Sequence, residues 1–208
     1  MRKCVSAAQE ANLHSLSGMQ LLEIGFGKHS IPRRLVTDAG GTWTGIEPFV
    51  STSQKARLGA GGHGQVADIP FPDGTFDVVA GVQTLEHWEE PLPGNDRTPG
   101  YAECFAEIHR VLKPGGSIYF DAPIHLHGHE MFVAGDYERI RALLDPALWQ
   151  DVIIERWREE YAPLERFPTP DVELPGWEQS VKSYSKQQLE DIRENRSVAL
   201  VTLKAVKK

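Results

Sequence analysis

Residues 19–30 read MQLLEIGFGKHS, and the reading of this stretch decides the fold. Met19, Leu21, Leu22 and Ile24 form an apolar run that takes in one carboxylate, Glu23, and ends in two glycines, Gly25 and Gly27. This is the pattern of a buried strand that stops where the backbone turns too sharply for a side chain. A helix is expected next, its free N–H groups facing the turn. A ligand can then lie against bare backbone beside a helix N-terminus.

Outward from that turn, strands and helices alternate. Residues 28–39 place Ile31, Leu35 and Val36 at helical spacing, Pro32 suits a first turn, and Gly40-Gly41 ends the helix. TWTGI at 42–46 reads as a second strand with Glu47 at its end, followed by a short helix from Pro48 to Arg57. Residues 65–67 read as a brief third strand ending at Asp68, before the turn IPFPDGT. FDVVAGV at 76–82 is continuously apolar, as in a strand buried on both faces. An amphipathic helix spans 101–112, the LKPGG turn breaks it, and SIYFD at 117–121 is strand five. Further on, 137–144 reads as a helix, 152–157 as a sixth strand, 161–175 as a proline-punctuated loop, residues from Ser185 as a short helix and 197–206 as a closing strand. Alternation of this kind implies a mostly parallel sheet, with ligands beyond the carboxyl ends of its strands.

The chain has 208 residues and a formal net charge of -7. Its length suits one domain with its own core. The acidic balance argues against binding nucleic acid through a broad basic face. Cys4 and Cys104 form no CxxC pair, no stretch reaches the length of a membrane span, and the amino terminus lacks the apolar core of a signal peptide. A cytoplasmic protein without a membrane span is expected.

Five features in fixed order are similar to the class I S-adenosylmethionine-dependent methyltransferases, in their small-molecule branch. They are EIGFG after strand one, Glu47 after strand two, Asp68 after strand three, FDVVAGVQTLEHW, and EIHRVLKPGGSIYFD. The resemblance covers residues 19–123. It implies an α/β, Rossmann-like, doubly wound and mostly parallel seven-stranded sheet, with helices on both faces and an antiparallel C-terminal strand. It also implies one domain over 1–208: a cofactor core at 19–123, acceptor-side elements at 124–196 and the closing strand at 197–206. The cofactor implied is S-adenosyl-L-methionine. By the same resemblance, Gly25 and Gly27 let the backbone approach its tail and ribose, and Glu23 helps fix the amino-acid end. Glu47 accepts from the ribose hydroxyls. Asp68 takes the adenine amino group, Ile69 offers its backbone N–H and packs on the ring, and Gln83 with Thr84 lies near the methionine moiety. Each carboxylate has a plainer alternative as a helix cap or turn residue. The family's usual third glycine is replaced by His29. A pyrophosphate-binding dehydrogenase is disfavoured by the missing glycine and by the carboxylate beside the turn.

Transfer to an oxygen requires a base for the departing proton. Candidates are His87, in LEHW beyond strand four, and His125 and His127 in HLHGH after strand five. In an extended segment His125, His127 and His129 would converge on one side, near Glu130 and Asp136. A divalent metal there is conceivable, although no metal ligand is assigned. The acceptor pocket is expected from Trp88, the 89–100 loop, Phe132, Trp149, Trp157, Tyr161 and Trp177, with a sugar-like small molecule as acceptor. The expected assembly is a monomer or homodimer. Two functions stay open: an O-methylating enzyme, or a cofactor-binding subunit that is inactive or partner-dependent.

Overall fold

A computed structural model describes residues 2–13, 15–27, 30–48, 64–91, 98–124, 126–160, 178–182 and 199–208. The helices are α1 (Arg2–Asn12), α2 (Ile31–Asp38), α3 (Tyr101–Val111), α4 (Glu130–Ala134) and α5 (Tyr137–Arg141). The strands are β1 (Gln20–Ile24), β2 (Thr42–Ile46), β3 (Phe76–Val82), β4 (Leu112–Ile124), β5 (Trp149–Glu160), β6 (Glu178–Lys182) and β7 (Ala199–Lys207). They form one seven-stranded sheet in the order β2-β1-β3-β4-β7-β5-β6. β7 runs antiparallel to both β4 and β5, and the other pairings are parallel. The α/β sheet with a reversed closing strand is therefore as expected.

The sheet is buried on both faces because its strands alternate between two cores. Leu22, Ile24, Val79, Ile118 and Phe120 meet Cys104, Phe105, Ile108 and Val111 of α3. Leu21, Val78, Ala80 and Tyr119 meet Leu13, Leu16 and Val36 on the other side. This is the period-two alternation of a strand doubled across two helical layers. α2 starts at Ser30, whose hydroxyl accepts from the Arg33 N–H at 2.9 Å, and Pro32 occupies its first turn. Such a cap contributes about 1 kcal/mol.

Three expectations are corrected. Residues 65–67 are not a sheet strand. Asp68 folds back so that its N–H donates to the Gln65 carbonyl, in an isolated bridge. The cause is α3: Arg110 donates to the carbonyls of Ile69 and Phe71, and Glu107 accepts the Ile69 N–H, so the segment is tied to a helix instead of a strand edge. The seventh strand is β6 instead, parallel to β5. The histidine segment is not extended, because His129 caps α4 through Nδ1, which accepts the Met131 N–H. Strand five is longer than expected. It starts at Leu112, and a bulge holding Lys113–Gly116 interrupts its register with β3. The expected helix through Arg57, the 161–175 loop and the helix from Ser185 lie outside the described residues. Among those residues no helix is long and apolar enough to cross a membrane.

Candidate functional site

The carboxyl ends of β1, β2 and β3 open onto a cavity of about 470 Å³. Ile24 and Gly25 line it from the first turn, Glu47 and Pro48 from the second, and Gln83, Thr84, His87 and Trp88 from the third. Gly64, Gln65, Val66, Glu90, Pro91 and Pro99 complete the lining.

Gly25 has φ +69°, and a Cβ there would stand 2.7 Å from the Thr84 methyl. The turn therefore excludes side chains by conformation and by space. The Gly25 N–H donates to the Ile46 carbonyl at 2.9 Å, which joins the ends of β1 and β2. Gly27 lies just beyond, with φ +55°, and its N–H reaches Glu47 Oε2 at 3.4 Å.

Glu23 does not line the cavity. It is buried on the opposite face of β1, where Trp43 Nε1 donates to it at 2.7 Å and the Ser30 hydroxyl also donates. Burial pushes its carboxyl up to about 7 against those two hydrogen bonds. It thereby links β1, β2 and the cap of α2 behind the glycine turn.

Gln83 sits at the end of β3 with φ +51°, an uncommon conformation for a residue with a side chain. Its N–H donates to the Asp121 carbonyl and carboxylate at 2.9 and 3.1 Å. Its carboxamide Nε2 is buried without a hydrogen-bonded partner among the described residues. A strained residue with an orphaned donor beside a cavity is consistent with a ligand acceptor there. Thr84 accepts from Trp88 Nε1 at 3.0 Å, fixing the single 3-10 turn Leu85–His87.

Two residues expected on the adenine side do not line the cavity. Asp68 is exposed and away from the cavity, and the Ile69 N–H is taken by Glu107 while its side chain is core. Gln65 and Val66, just before them, do line it.

Asp121, inside β4 and three residues before its end, was also missed. It is fully buried, accepts from Gln9, Tyr119 and Gln83, and is pushed up to about 7 by its burial.

On the far rim, Glu86, His87 and His127 come together. Glu86 is fully buried, and neither of its oxygens has a hydrogen-bonded partner among the described residues. Burial, with the charges of Asp121 and Glu90, pushes it up to about 8. His87 Nε2 and His127 Nε2 each lie 3.7 Å from Glu86 Oε1, and the rings stack at 5.2 Å. Partial burial and the nearby His87 hold the His127 imidazole below its usual value. His129 turns elsewhere, to Glu89 at 3.2 Å. Glu130 pairs with Arg139, and Asp136 caps α5. His125, His29, Tyr161 and Trp177 lie outside the described residues. Phe132, Trp149 and Trp157 are buried core residues, not cavity lining.

Residues 22–120 match a sequence family described as a methyltransferase domain. A probable S-adenosylmethionine-dependent methyltransferase of Mycolicibacterium smegmatis is 30% identical over 115 residues, 53% of this chain and 40% of that protein. The chain spans less than half the length of the curated relatives it matches. The phosphoethanolamine N-methyltransferase 2 of Haemonchus contortus, solved with phosphomonomethylethanolamine and S-adenosylhomocysteine, superposes with a TM-score of 0.61 at 16% identity. The match covers 97% of this chain and 52% of that one. A SAM-dependent methyltransferase of Archaeoglobus fulgidus gives 0.58 at 17% identity, covering 100% of this chain and 95% of that one. The sequence match and the sheet order agree: residues 22–120 carry a methyltransferase domain, similar to that of the class I S-adenosylmethionine-dependent enzymes.

Proposed function

We propose that this chain binds S-adenosyl-L-methionine in the cavity at the ends of β1–β3 and transfers its methyl group to the hydroxyl of a small polar acceptor, of the sugar class. The observation that carries the reading is the cavity itself. It has side-chain-free backbone at Gly25, a carboxylate at Glu47 and an orphaned amide donor at Gln83 on one rim. That set fits a ligand with a zwitterionic tail and a ribose diol, and the described lining residues include no lysine or arginine for a pyrophosphate. Glu47 would hold both ribose hydroxyls, Gln65 and Val66 would border the adenine, and Gln83 would donate to the methionine carboxylate. The bound donor supplies a methyl group on a positively charged sulfur, which regains its electron pair as the new O–C bond forms.

The remaining work falls to the far rim. His87 lines the cavity and is 41% exposed, while His127 beside it is 47% exposed, so both can reach an acceptor hydroxyl. The cluster would orient that oxygen and receive its proton, and alignment supplies much of the rate. The net charge of -7 supports a small acceptor over nucleic acid. On this reading residues 1–208 form one domain that works as a monomer or homodimer. The test is a thermal-shift titration with S-adenosylhomocysteine followed by a screen of hydroxylated acceptor pools with labelled cofactor. A raised melting temperature with label in a sugar-class product is expected. No shift with the cofactor product, and a shift with NAD, would end the reading. A shift without any product would favour the inactive or partner-dependent subunit.

A further inference from the structure

We propose that Glu86, His87 and His127 form a binding site for one divalent transition-metal ion of the zinc class, at the acceptor rim of the cavity. The role of the ion in transfer rests on the proposed function, but its binding does not.

One ligand atom from each residue lies within 4.8 Å of the other two. The two 3.7 Å separations from Glu86 Oε1 to the imidazole nitrogens are close to the spacing of about 3.4 Å between donors on a tetrahedral ion with bonds of about 2.1 Å. Glu86 is the decisive member. It is 0% exposed, and both its oxygens lack a hydrogen-bonded partner among the described residues. A buried carboxylate without donors is costly unless something cationic meets it.

The surrounding chemistry agrees. His87 Nδ1 lies 2.9 Å from Glu90 Oε1, so it donates there and leaves the Nε2 lone pair facing Glu86. A carboxylate behind a liganding imidazole is the usual arrangement at protein metal sites. The loop is also shaped for the approach. Gly128 has φ +89°, a Cβ there would fall 2.6 Å from the Glu86 Cβ, and the His129 N–H donates to the Glu86 carbonyl at 2.8 Å. Only glycine at 128 lets His127 come down onto Glu86. Two imidazoles and one carboxylate suit zinc, manganese or iron, and three protein donors leave a fourth position for water or an acceptor oxygen. With the ion present the rings would be ligands, and the ion would supply the Lewis acidity that lowers the pKa of the held oxygen, whose proton would pass to solvent.

The test uses the full chain purified without a histidine tag, stripped with chelator and titrated with Zn2+ against a chromophoric chelator. One equivalent should bind with a micromolar or tighter dissociation constant, and Co2+ should give the visible absorption of a four-coordinate site. His127→Ala should weaken binding at least about a hundredfold, and Glu90→Gln about tenfold. His109→Asn, away from the cluster, should leave it unchanged. No equivalent tighter than millimolar, or undiminished binding in His127→Ala, overturns the site. S-adenosylhomocysteine is titrated in parallel. Cofactor binding without metal binding sinks only the metal site, and metal binding without cofactor binding sinks only the transferase reading.

Discussion

The two rims of the cavity are built from different materials. On the β1–β2 side the backbone dominates: Gly25 and Gly27 turn with positive φ, and a single carboxylate, Glu47, stands over them. On the far side the side chains dominate: a buried carboxylate and two imidazoles are held by a 3-10 turn and by the loop through Gly128. A backbone-built rim can vary little, because its shape is set by the sheet. A side-chain rim can be exchanged without touching the fold. The first suits a shared donor molecule and the second an acceptor that differs between enzymes.

If the first rim is backbone-built, filling it should do the most damage. Gly25→Ala places a Cβ against Thr84 in a left-handed conformation, and cofactor affinity should fall by about 2–3 kcal/mol, the scale of such strain. Adding Thr84→Ser removes the methyl that the Cβ meets, and calorimetry should show part of the loss regained. An unchanged affinity in Gly25→Ala would show that this backbone is not in contact with the ligand.

Glu47 is the one side chain on which that rim depends. Glu47→Ala should weaken S-adenosylhomocysteine by about 1–3 kcal/mol, and equal affinities would remove Glu47 from the site.

The support behind the rim has a pH signature. Glu23 carries a folded value of about 7 against an ordinary 4.5, so the native state holds its proton more tightly than the unfolded chain does. Its stabilising contribution is fully present below about 4.5 and is lost as pH rises through about 7. Relative to Glu23→Gln, the unaltered protein should therefore lose up to about 3 kcal/mol between pH 4.5 and 7.5, read as denaturant midpoints. A parallel pair of profiles would show that Glu23 does not titrate in this window.

The smallest effect is at the helix that faces the turn. Ser30→Ala removes both the α2 cap and a donor to Glu23, and thermal unfolding should show a loss of about 1 kcal/mol.

The first rim was largely legible in the sequence, because period-two burial and glycine turns are local signals. Phe76–Val82 follows from its apolar run alone. The strand expected at 65–67 is absent because Arg110 and Glu107, about forty positions away, capture the Ile69 segment. The far rim was legible as residues but not as geometry. His87 and His127 both stood out, yet nothing local shows that a loop folding at Gly128 lays one ring upon the other, or sends His129 to Glu89. Long-range pairing of side chains leaves no periodicity to read.

The central claim is that a methyl donor lies against the glycine turn under Glu47. Calorimetric titration of S-adenosylhomocysteine into the protein and into Glu47→Ala tests it most directly. Saturable binding of one equivalent, weakened in the variant, is the predicted result. No heat at millimolar ligand, or identical curves for the two proteins, would contradict it.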